Sequence, residues 1–342
     1  MNNLIFKHPE PEQLKTRIWP VFMPFMGCPS RCVYCSQDKQ TGTGAKTLND
    51  IYQDIKESLP AFFTENTRSP MEIAFFGGTF TALPFEWQIK FIELGASLRE
   101  KGYITKIRFS TRPDFIKLDQ LLTLKAAGLD MVELGIQSFS KYTLKRSGRN
   151  YTPETAISAC QTVREAGLSL AIQLLPGLPG SVSGDFQKDV AKTIDLLPDA
   201  VRVYPCLVVK GTALEKLYLA DRYQPWSVEY AEDQLAMSLL RFWGKKINVI
   251  RMGVAPESDM DEVVIAGPTH PALGQSARSK ALYLHICTRL AMLGSKPNKI
   301  NIPQKYSGEF WGHKGSLKED YHMLGINSEN VKFTETQLIQ IS

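Results

Sequence analysis

No run of apolar residues in this chain approaches the 18 or so that a membrane-spanning helix needs, so no membrane partner is expected. The opening residues, Met1 to Pro9, place no long apolar stretch behind a basic start and do not read as a secretion signal. Internal repeats and low-complexity tracts are missing as well. Charge is not one-sided: 40 Lys and Arg against 35 Asp and Glu leave +5, which by itself selects no partner. Cysteine is scarce. Of six, Cys160, Cys206 and Cys287 stand alone in apolar segments and read as small buried residues, and there is no second C-x-x-C pair to complete a four-cysteine zinc site. These absences leave a soluble chain expected in the cytoplasm, where thiols stay reduced.

What is present begins with composition: 342 residues at 43% hydrophobic content bury roughly three-quarters of the extended chain's surface on folding. The other three cysteines fall within Gly27-Cys28-Pro29-Ser30-Arg31-Cys32-Val33-Tyr34-Cys35, at C-x-x-x-C-x-x-C spacing. Loops of two or three residues let Cys28, Cys32 and Cys35 converge on one metal centre. Three thiolates on a [4Fe-4S] cluster leave one iron open for chemistry. A zinc or other iron-sulfur site, a disulfide and unmetallated thiols are the competing readings of the triplet.

Hydrophobic periodicity predicts alternating strands and helices. Strands are expected at Arg17–Pro24, Met71–Phe76, Lys106–Ser110, Met131–Gln137, Leu168–Leu175, Ala200–Cys206 and Asn248–Met252. Helices are expected at Thr47–Phe63, Pro84–Lys101, Asp114–Ala127, Pro153–Ala166, Gly184–Leu197 and Val228–Trp243, with Gly102, Gly128 and Gly167 at helix ends. That alternation gives an α/β fold with a parallel barrel, open or closed, or a doubly wound sheet. Residues 253–270 read as a connector whose Glu257, Asp259, Asp261 and Glu262 form a solvated loop, with His270 at the start of the next helix. Residues 271–342 read as a small basic α+β extension: a helix at Pro271–Leu293, a strand at Lys299–Ile302, a helix at Ser316–Leu324, a possible strand at Val331–Phe333 and a frayed end. The first 252 residues form the barrel.

Gly77-Gly78-Thr79 follows a strand directly, and glycines there let a ligand reach backbone groups that a Cβ would block. Three further strand ends carry polar residues: Ser110-Thr111-Arg112-Pro113-Asp114, Gln137-Ser138-Phe139, and Gln173 before Leu174-Leu175-Pro176-Gly177-Leu178-Pro179-Gly180. Between Arg278 and Lys318 eight basic residues face one acid, Glu309, so this segment is +7 and the remainder −2. Within it Gly312-His313-Lys314-Gly315 matches the G-x-x-G pattern of KH-type modules, and Tyr306, Phe310 and Trp311 are candidates to stack on bases, which makes RNA a candidate partner.

The cysteine triplet, with Tyr34 before its last member, resembles the signature of the radical S-adenosylmethionine (SAM) superfamily. Within it the sequence is similar to the catalytic subunit of Elongator, on Phe76-Gly77-Gly78-Thr79-Phe80, Thr111-Arg112-Pro113-Asp114 and Gln137-Ser138. It is similar more distantly to oxygen-independent coproporphyrinogen oxidase, on Gly177-Leu178-Pro179-Gly180. The resemblance covers about residues 18–206 and implies a partial (β/α)6 barrel with a [4Fe-4S] cluster on the three cysteines. It implies SAM on the open iron, a 5′-deoxyadenosyl radical that abstracts hydrogen from a substrate, and a flavodoxin- or ferredoxin-type reductant. By the same similarity Gly77, Gly78 and Thr79 meet the SAM amino group, Ser110, Gln137 and Gln173 its ribose and neighbouring atoms, and Arg149 its carboxylate. The sequence departs from these families at Ser110, where both carry an acid, and at Ser36-Gln37, where the porphyrin enzyme has another cysteine. About ninety residues follow Met252 without an Arg/Gln-x-x-Gly-x-Gly loop, so acetyl transfer is not expected. The expected substrate is an RNA base, as in a tRNA, or a nucleoside. The alternatives are a small metabolite or tetrapyrrole, or a zinc-stabilised RNA-binding protein without catalysis.

Overall fold

The computed structural model describes residues 3–12, 16–37, 46–65, 68–253, 260–292 and 296–342. After a short strand, β1 (Leu4–Phe6), six strands follow in chain order: β2 (Ile18–Phe22), β3 (Met71–Phe76), β4 (Ile104–Thr111), β5 (Met131–Gln137), β6 (Ser169–Leu174) and β7 (Ala200–Val203). The short β8 (Val208–Val209) leaves the series and β9 (Asn248–Met252) rejoins it. β2 to β7 and β9 form one seven-stranded parallel sheet, curled into a half-barrel, in which every strand neighbours its predecessor in that series. A doubly wound sheet would reverse direction at a switch point, and this order has none.

The residue types explain the layers. β5 is buried along its whole length and reads as a nearly continuous apolar run, as a parallel strand covered on both faces must. Helices on the convex side, among them Phe85–Glu100, Pro153–Glu165 and Val228–Gly244, cover the sheet around Phe75, Phe91, Phe109, Leu134 and Phe242. The helix Leu48–Glu65 begins where predicted because Thr47 and Asp50 bond reciprocally: Asp50 N–H donates to Thr47 Oγ1 (3.1 Å) and Thr47 N–H to Asp50 Oδ2 (2.9 Å).

Three expectations need correction, and two short helices were not anticipated. The single helix Asp114–Ala127 is a 3-10 turn, Pro113–Phe115, then a helix, Leu118–Ala126, because Ile116 and Lys117 are extended between them. The strand Ala200–Cys206 ends at Val203, before Pro205, which has no N–H for a ladder. Short helices at Lys141–Arg146 and Ala213–Leu219 escaped the periodicity, being too brief to show it; the hydroxyls of Ser140 and Thr212 cap them. The chain's end is not frayed. β10 (Val264–Ala266) pairs with β8, and a second sheet contains β11 (Ile300–Pro303), β12 (Val331–Thr334) and β13 (Ile339–Ile341) in the order β1-β13-β11-β12. The N-terminal strand thus pairs with the C-terminal one, Leu4 opposite Ile341 and Phe6 opposite Ile339.

The helix Leu273–Leu290 joins the two cores, with Leu273, Ala277 and Ala281 in the barrel core and Leu282 and Ile286 in the second. His270 does start this helix, its Nδ1 accepting from Ala272 N–H at 3.2 Å. Glu257 and Asp259 lie outside the described residues; Glu262 is exposed. Among the described residues no helix is long and apolar enough to cross a membrane.

Ile341, one residue from the last, is fully buried between β1 and β11. Ile341→Ala should therefore cost about 2–5 kcal/mol of stability in urea unfolding, the range for a core truncation. A loss under about 0.5 kcal/mol, typical of a surface position, would show that the end is not packed as described.

Candidate active site

The C-terminal edge of the parallel sheet is where the strands' turns converge, and the cysteine loop sits there because two backbone turns interlock. Thr79 N–H donates to Met26 O (2.7 Å), Met23 N–H to Phe76 O (2.8 Å), and Gln37 Oε1 accepts from Phe25 N–H (2.5 Å) and Gly78 N–H (2.9 Å). The approach is so close that a Cβ at Gly27 would lie 2.3 Å from Thr79 O, and one at Gly78 would lie 2.1 Å from Met26 O. Both glycines have positive φ, +72° and +63°, so an L side chain is excluded on two counts. The predicted Gly-Gly-Thr turn therefore has a structural duty: it docks the cysteine loop.

Cys28, Cys32 and Cys35 line one cavity of about 600 Å³ that opens into the half-barrel. Gly77, Gly78, Ser110, Gln137, Arg149 and Gln173 line it too. Thr79 does not; it is fully buried behind the loop, with its hydroxyl 3.4 Å from Cys28 Sγ. Nine of the ten residues singled out from the sequence, drawn from the cysteine loop, four strand ends and the turn after the helix Lys141–Arg146, thus share one wall.

Arg149 ties the far side of the loop to β5. Its Nη1 donates to Cys32 Sγ (3.4 Å) and Tyr34 Oη (3.2 Å), its Nε to Tyr151 Oη (2.8 Å), and its Nη2 to the Gly135 carbonyl. Among the described residues it forms no ion pair, although it is 4% exposed. A buried guanidinium without an acid is costly unless an anion completes it. Burial pushes the Cys35 thiol up to about 12, with Cys32 and Cys28 adding repulsion, and raises Cys28 as well. Among the described residues no three His, Cys, Asp or Glu side chains are gathered around the place of a single metal ion, but thiols sharing one wall become thiolates when a cationic centre joins them. The donor set therefore suits a sulfur-ligated metal centre bearing one anionic ligand near Arg149.

Other polar atoms on the wall lack partners among the described residues: Ser110 Oγ, Gln137 Oε1 and Arg112 Nη1. Arg112 is otherwise fixed by Asp114 in a two-pronged pair (2.9 and 2.8 Å). Gln137 has φ +70°, rare outside glycine, at a register shift between β5 and β6. Asp189 helps hold that turn, its Oδ1 accepting from Phe139 N–H at 2.8 Å. The sequence reading missed Asp189, and it missed four charged or phenolic side chains deeper in the barrel: Arg108, Glu133, Arg202 and Tyr204. For Glu133 and Arg202 the available signal was a lone charge within an otherwise mostly apolar strand, as in Met131 to Gln137.

The tail behaves differently from its expectation. Phe310 does not face a base: it is fully buried and stacks on Tyr321 at 4.3 Å, with Trp311 edge-on to both. Tyr306 stacks on His8 at 4.3 Å. These aromatics fill or flank the second core. Cys160 and Cys206 are buried and Cys287 half-buried.

Burial raises the Asp189 carboxyl from 3.8 to about 7, against the pull of its bonds to Phe139 and Ser138. A raised carboxyl contributes stability below its unfolded value and loses it as pH climbs through the folded one, here between about 4 and 7 and by roughly 4 kcal/mol at most. Asp189→Asn keeps an acceptor for Phe139 and removes the proton. Its urea midpoint should fall less than that of the unaltered protein between about pH 5 and 7.5; equal falls would contradict the assignment.

Comparison with known proteins agrees with this geometry. Residues 22–192 match the Radical SAM superfamily, and residues 198–282 match the Radical_SAM C-terminal domain. A tRNA uridine(34) acetyltransferase of Methanocaldococcus infernus is 31% identical over 204 residues, 53% of this chain and 38% of that protein. Elongator complex protein 3 of Danio rerio is 26% identical over 206 residues, 53% of this chain and 37% of its own length. The chain thus spans well under half the length of these two relatives. Among solved structures, the archaeal Elp3 of Methanocaldococcus infernus with an N-terminal deletion superposes with a TM-score of 0.59 at 21% identity, covering 80% of this chain and 63% of that one. Coproporphyrinogen III oxidase of Escherichia coli gives a TM-score of 0.50 at 23% identity over 70% and 54%. With a half-barrel of parallel strands, three cysteines at its mouth and a match over half its length, the chain belongs to the radical SAM superfamily.

Proposed function

We propose that this radical SAM enzyme holds a [4Fe-4S] cluster on Cys28, Cys32 and Cys35 and SAM against Gly77, Gly78, Ser110, Gln137, Arg149 and Gln173, and acts on a base or nucleoside of RNA such as tRNA. The observation that carries the reading is one cavity in which three thiols and an acid-free, buried guanidinium face each other. When bound, cluster and SAM together supply one-electron cleavage of the sulfonium to a 5′-deoxyadenosyl radical, which abstracts hydrogen.

The chain's own residues do the rest. Arg149 offers positive charge to a carboxylate beside Cys32, and Gly77 and Gly78 bring backbone within reach of an amino group. Gln137 and Ser110 have hydrogen-bonding capacity free for hydroxyls. Thr79 acts from behind, fixing Cys28. Phe22, Phe25 and Phe76 make part of the wall apolar, which limits water around a reactive species. A flavodoxin- or ferredoxin-type protein would deliver the electron. For RNA the support is the +7 segment from Arg278 to Lys318 and the tRNA-directed name of the 31% identical relative.

Anaerobic reconstitution with iron and sulfide, then dithionite and SAM, should yield 5′-deoxyadenosine, and Cys32→Ser should yield none while unfolding at a similar urea concentration. A reduced, iron-loaded protein that leaves SAM intact would sink the reading. If RNA is the substrate, retention on tRNA should weaken about tenfold or more between 50 and 200 mM salt, the range expected for several phosphate contacts. Salt-insensitive or absent retention would point to a small metabolite or tetrapyrrole.

A further inference from the structure

The interior of the half-barrel also carries charges outside the set proposed to hold the cofactors, Arg202 level with Gly135 in the strand register and Glu133 two residues before it. Glu72 on β3, Arg108 on β4, Glu133 on β5 and Arg202 on β7 alternate in sign across four strands. Arg108 Nε lies 3.2 Å from Glu72 Oε2 and its Nη1 lies 3.8 Å from Glu133 Oε2; Arg202 Nε lies 3.2 Å from Glu133 Oε1. Arg108, Glu133 and Arg202 are 3%, 1% and 8% exposed, yet all three line the cavity that holds the cysteines.

These ion pairs are close but badly aligned. Among the described residues neither oxygen of Glu133 has a hydrogen-bond partner, and neither does Nε of Arg108 or Arg202. On the same wall Arg112 and Asp114 show what an aligned pair looks like, with two bonds of 2.9 and 2.8 Å. A set of charges serving only to brace the barrel would gain by such alignment, because buried ion pairs repay their desolvation only when hydrogen bonds satisfy them. Arg202 is itself held in place, its Nη1 donating to Tyr204 Oη (3.0 Å) and its guanidinium 4.7 Å from the Phe76 ring centre. The unpaired atoms are themselves buried, and they belong to fixed side chains of residues that line a ligand-sized space.

Their signs restrict what could satisfy them. An anion would meet the Glu133 carboxylate, whose oxygens have ion-pair neighbours but no hydrogen bond, a cation would meet two guanidiniums, and an apolar group would leave all four atoms without hydrogen bonds. We propose that Glu133, Arg108 and Arg202 form a substrate subsite for the edge of a neutral, planar cyclic amide, in which an N–H donor stands beside a carbonyl acceptor. Glu133 accepts from the N–H, the arginines donate to the carbonyl, and the Phe76 ring lies beside the site as a flat apolar neighbour. Glu133 precedes Gly135 by two residues on the same face of β5, about 7 Å at strand spacing, so a ring gripped here lies one layer from Arg149 and the cysteines. The assignment rests on the reading of a base or nucleoside substrate and adds which of its edges is recognised.

Calorimetry on the iron-reconstituted protein with SAM present tests it, using guanosine and uridine, each paired with its N-methylated form, 1-methylguanosine or 3-methyluridine, and inorganic phosphate as competitor. A charge-assisted hydrogen bond is worth about 1.5–3 kcal/mol, so the nucleoside that binds should bind at least about tenfold tighter than its methylated form. Glu133→Gln should lose that preference, and phosphate should not compete. The methylated pair is read on the unaltered protein, so the test survives a variant that fails to fold. Equal binding of the methylated form, competition by phosphate, or no saturable binding of either nucleoside at about millimolar concentration would overturn the proposal. The same preparation is scored separately for 5′-deoxyadenosine. If that product forms without any amide preference, only this subsite is lost; if amide preference appears without that product, only the cofactor reading is.

Discussion

Everything at the mouth of this half-barrel depends on the interlock of two backbone turns. Gly27 sits where a Cβ would strike Thr79 O, Gly78 where one would strike Met26 O, and the Thr79 N–H to Met26 O bond closes the contact at 2.7 Å. Because the second turn is the end of β3, the cysteine loop inherits the rigidity of the sheet. Gln37 Oε1, accepting from both turns, adds a side-chain stitch to the backbone one. Without that docking three cysteines on a nine-residue loop would be free to bind a metal in many ways; with it they share a wall with four other strand ends.

Charge falls into two groups around this loop and the strands below it. The first group is the buried guanidinium of Arg149, which forms no ion pair among the described residues and is pressed against Cys32 and the Gly135 carbonyl. The second group, Glu72, Arg108, Glu133 and Arg202, is neutral as a whole but internally misaligned. An acid-free cation favours an anionic partner, whereas a balanced but unbonded set favours a neutral one with both donor and acceptor. The division matches a cofactor carboxylate at the first group and an uncharged substrate group at the second. The seven-stranded order explains how residues so far apart in sequence meet: period-two alternation turns Arg108 and Ser110 on β4, and Glu133 and Gly135 on β5, into the same interior.

Much of this was legible in the sequence, for identifiable reasons. β3, β5 and β9 fell where the apolar runs put them, because buried parallel strands are bounded sharply by turn residues. The cysteine spacing and the glycines beside it are local patterns, and the site they predicted is local too. What stayed hidden depends on long-range pairing. The last residues, Ile339 to Ile341, looked frayed, but they form a strand whose partner is Leu4 to Phe6 at the other end of the chain. Phe310 looked like a base-stacking aromatic because exposure is not written in a short segment; Tyr321 and Trp311 enclose it. Arg108, Glu133 and Arg202 escaped because each lies on a different strand, and only the curl of the sheet makes them a group.

The central claim is that three cysteines, and no fourth protein ligand, leave one iron of a cubic cluster to SAM. Mössbauer spectroscopy of the protein reconstituted anaerobically with 57Fe reads that iron directly. The account predicts four irons per chain, one of which changes its isomer shift when SAM is added while the other three do not. A spectrum indifferent to SAM, or a preparation that binds zinc and takes up no iron, would contradict it.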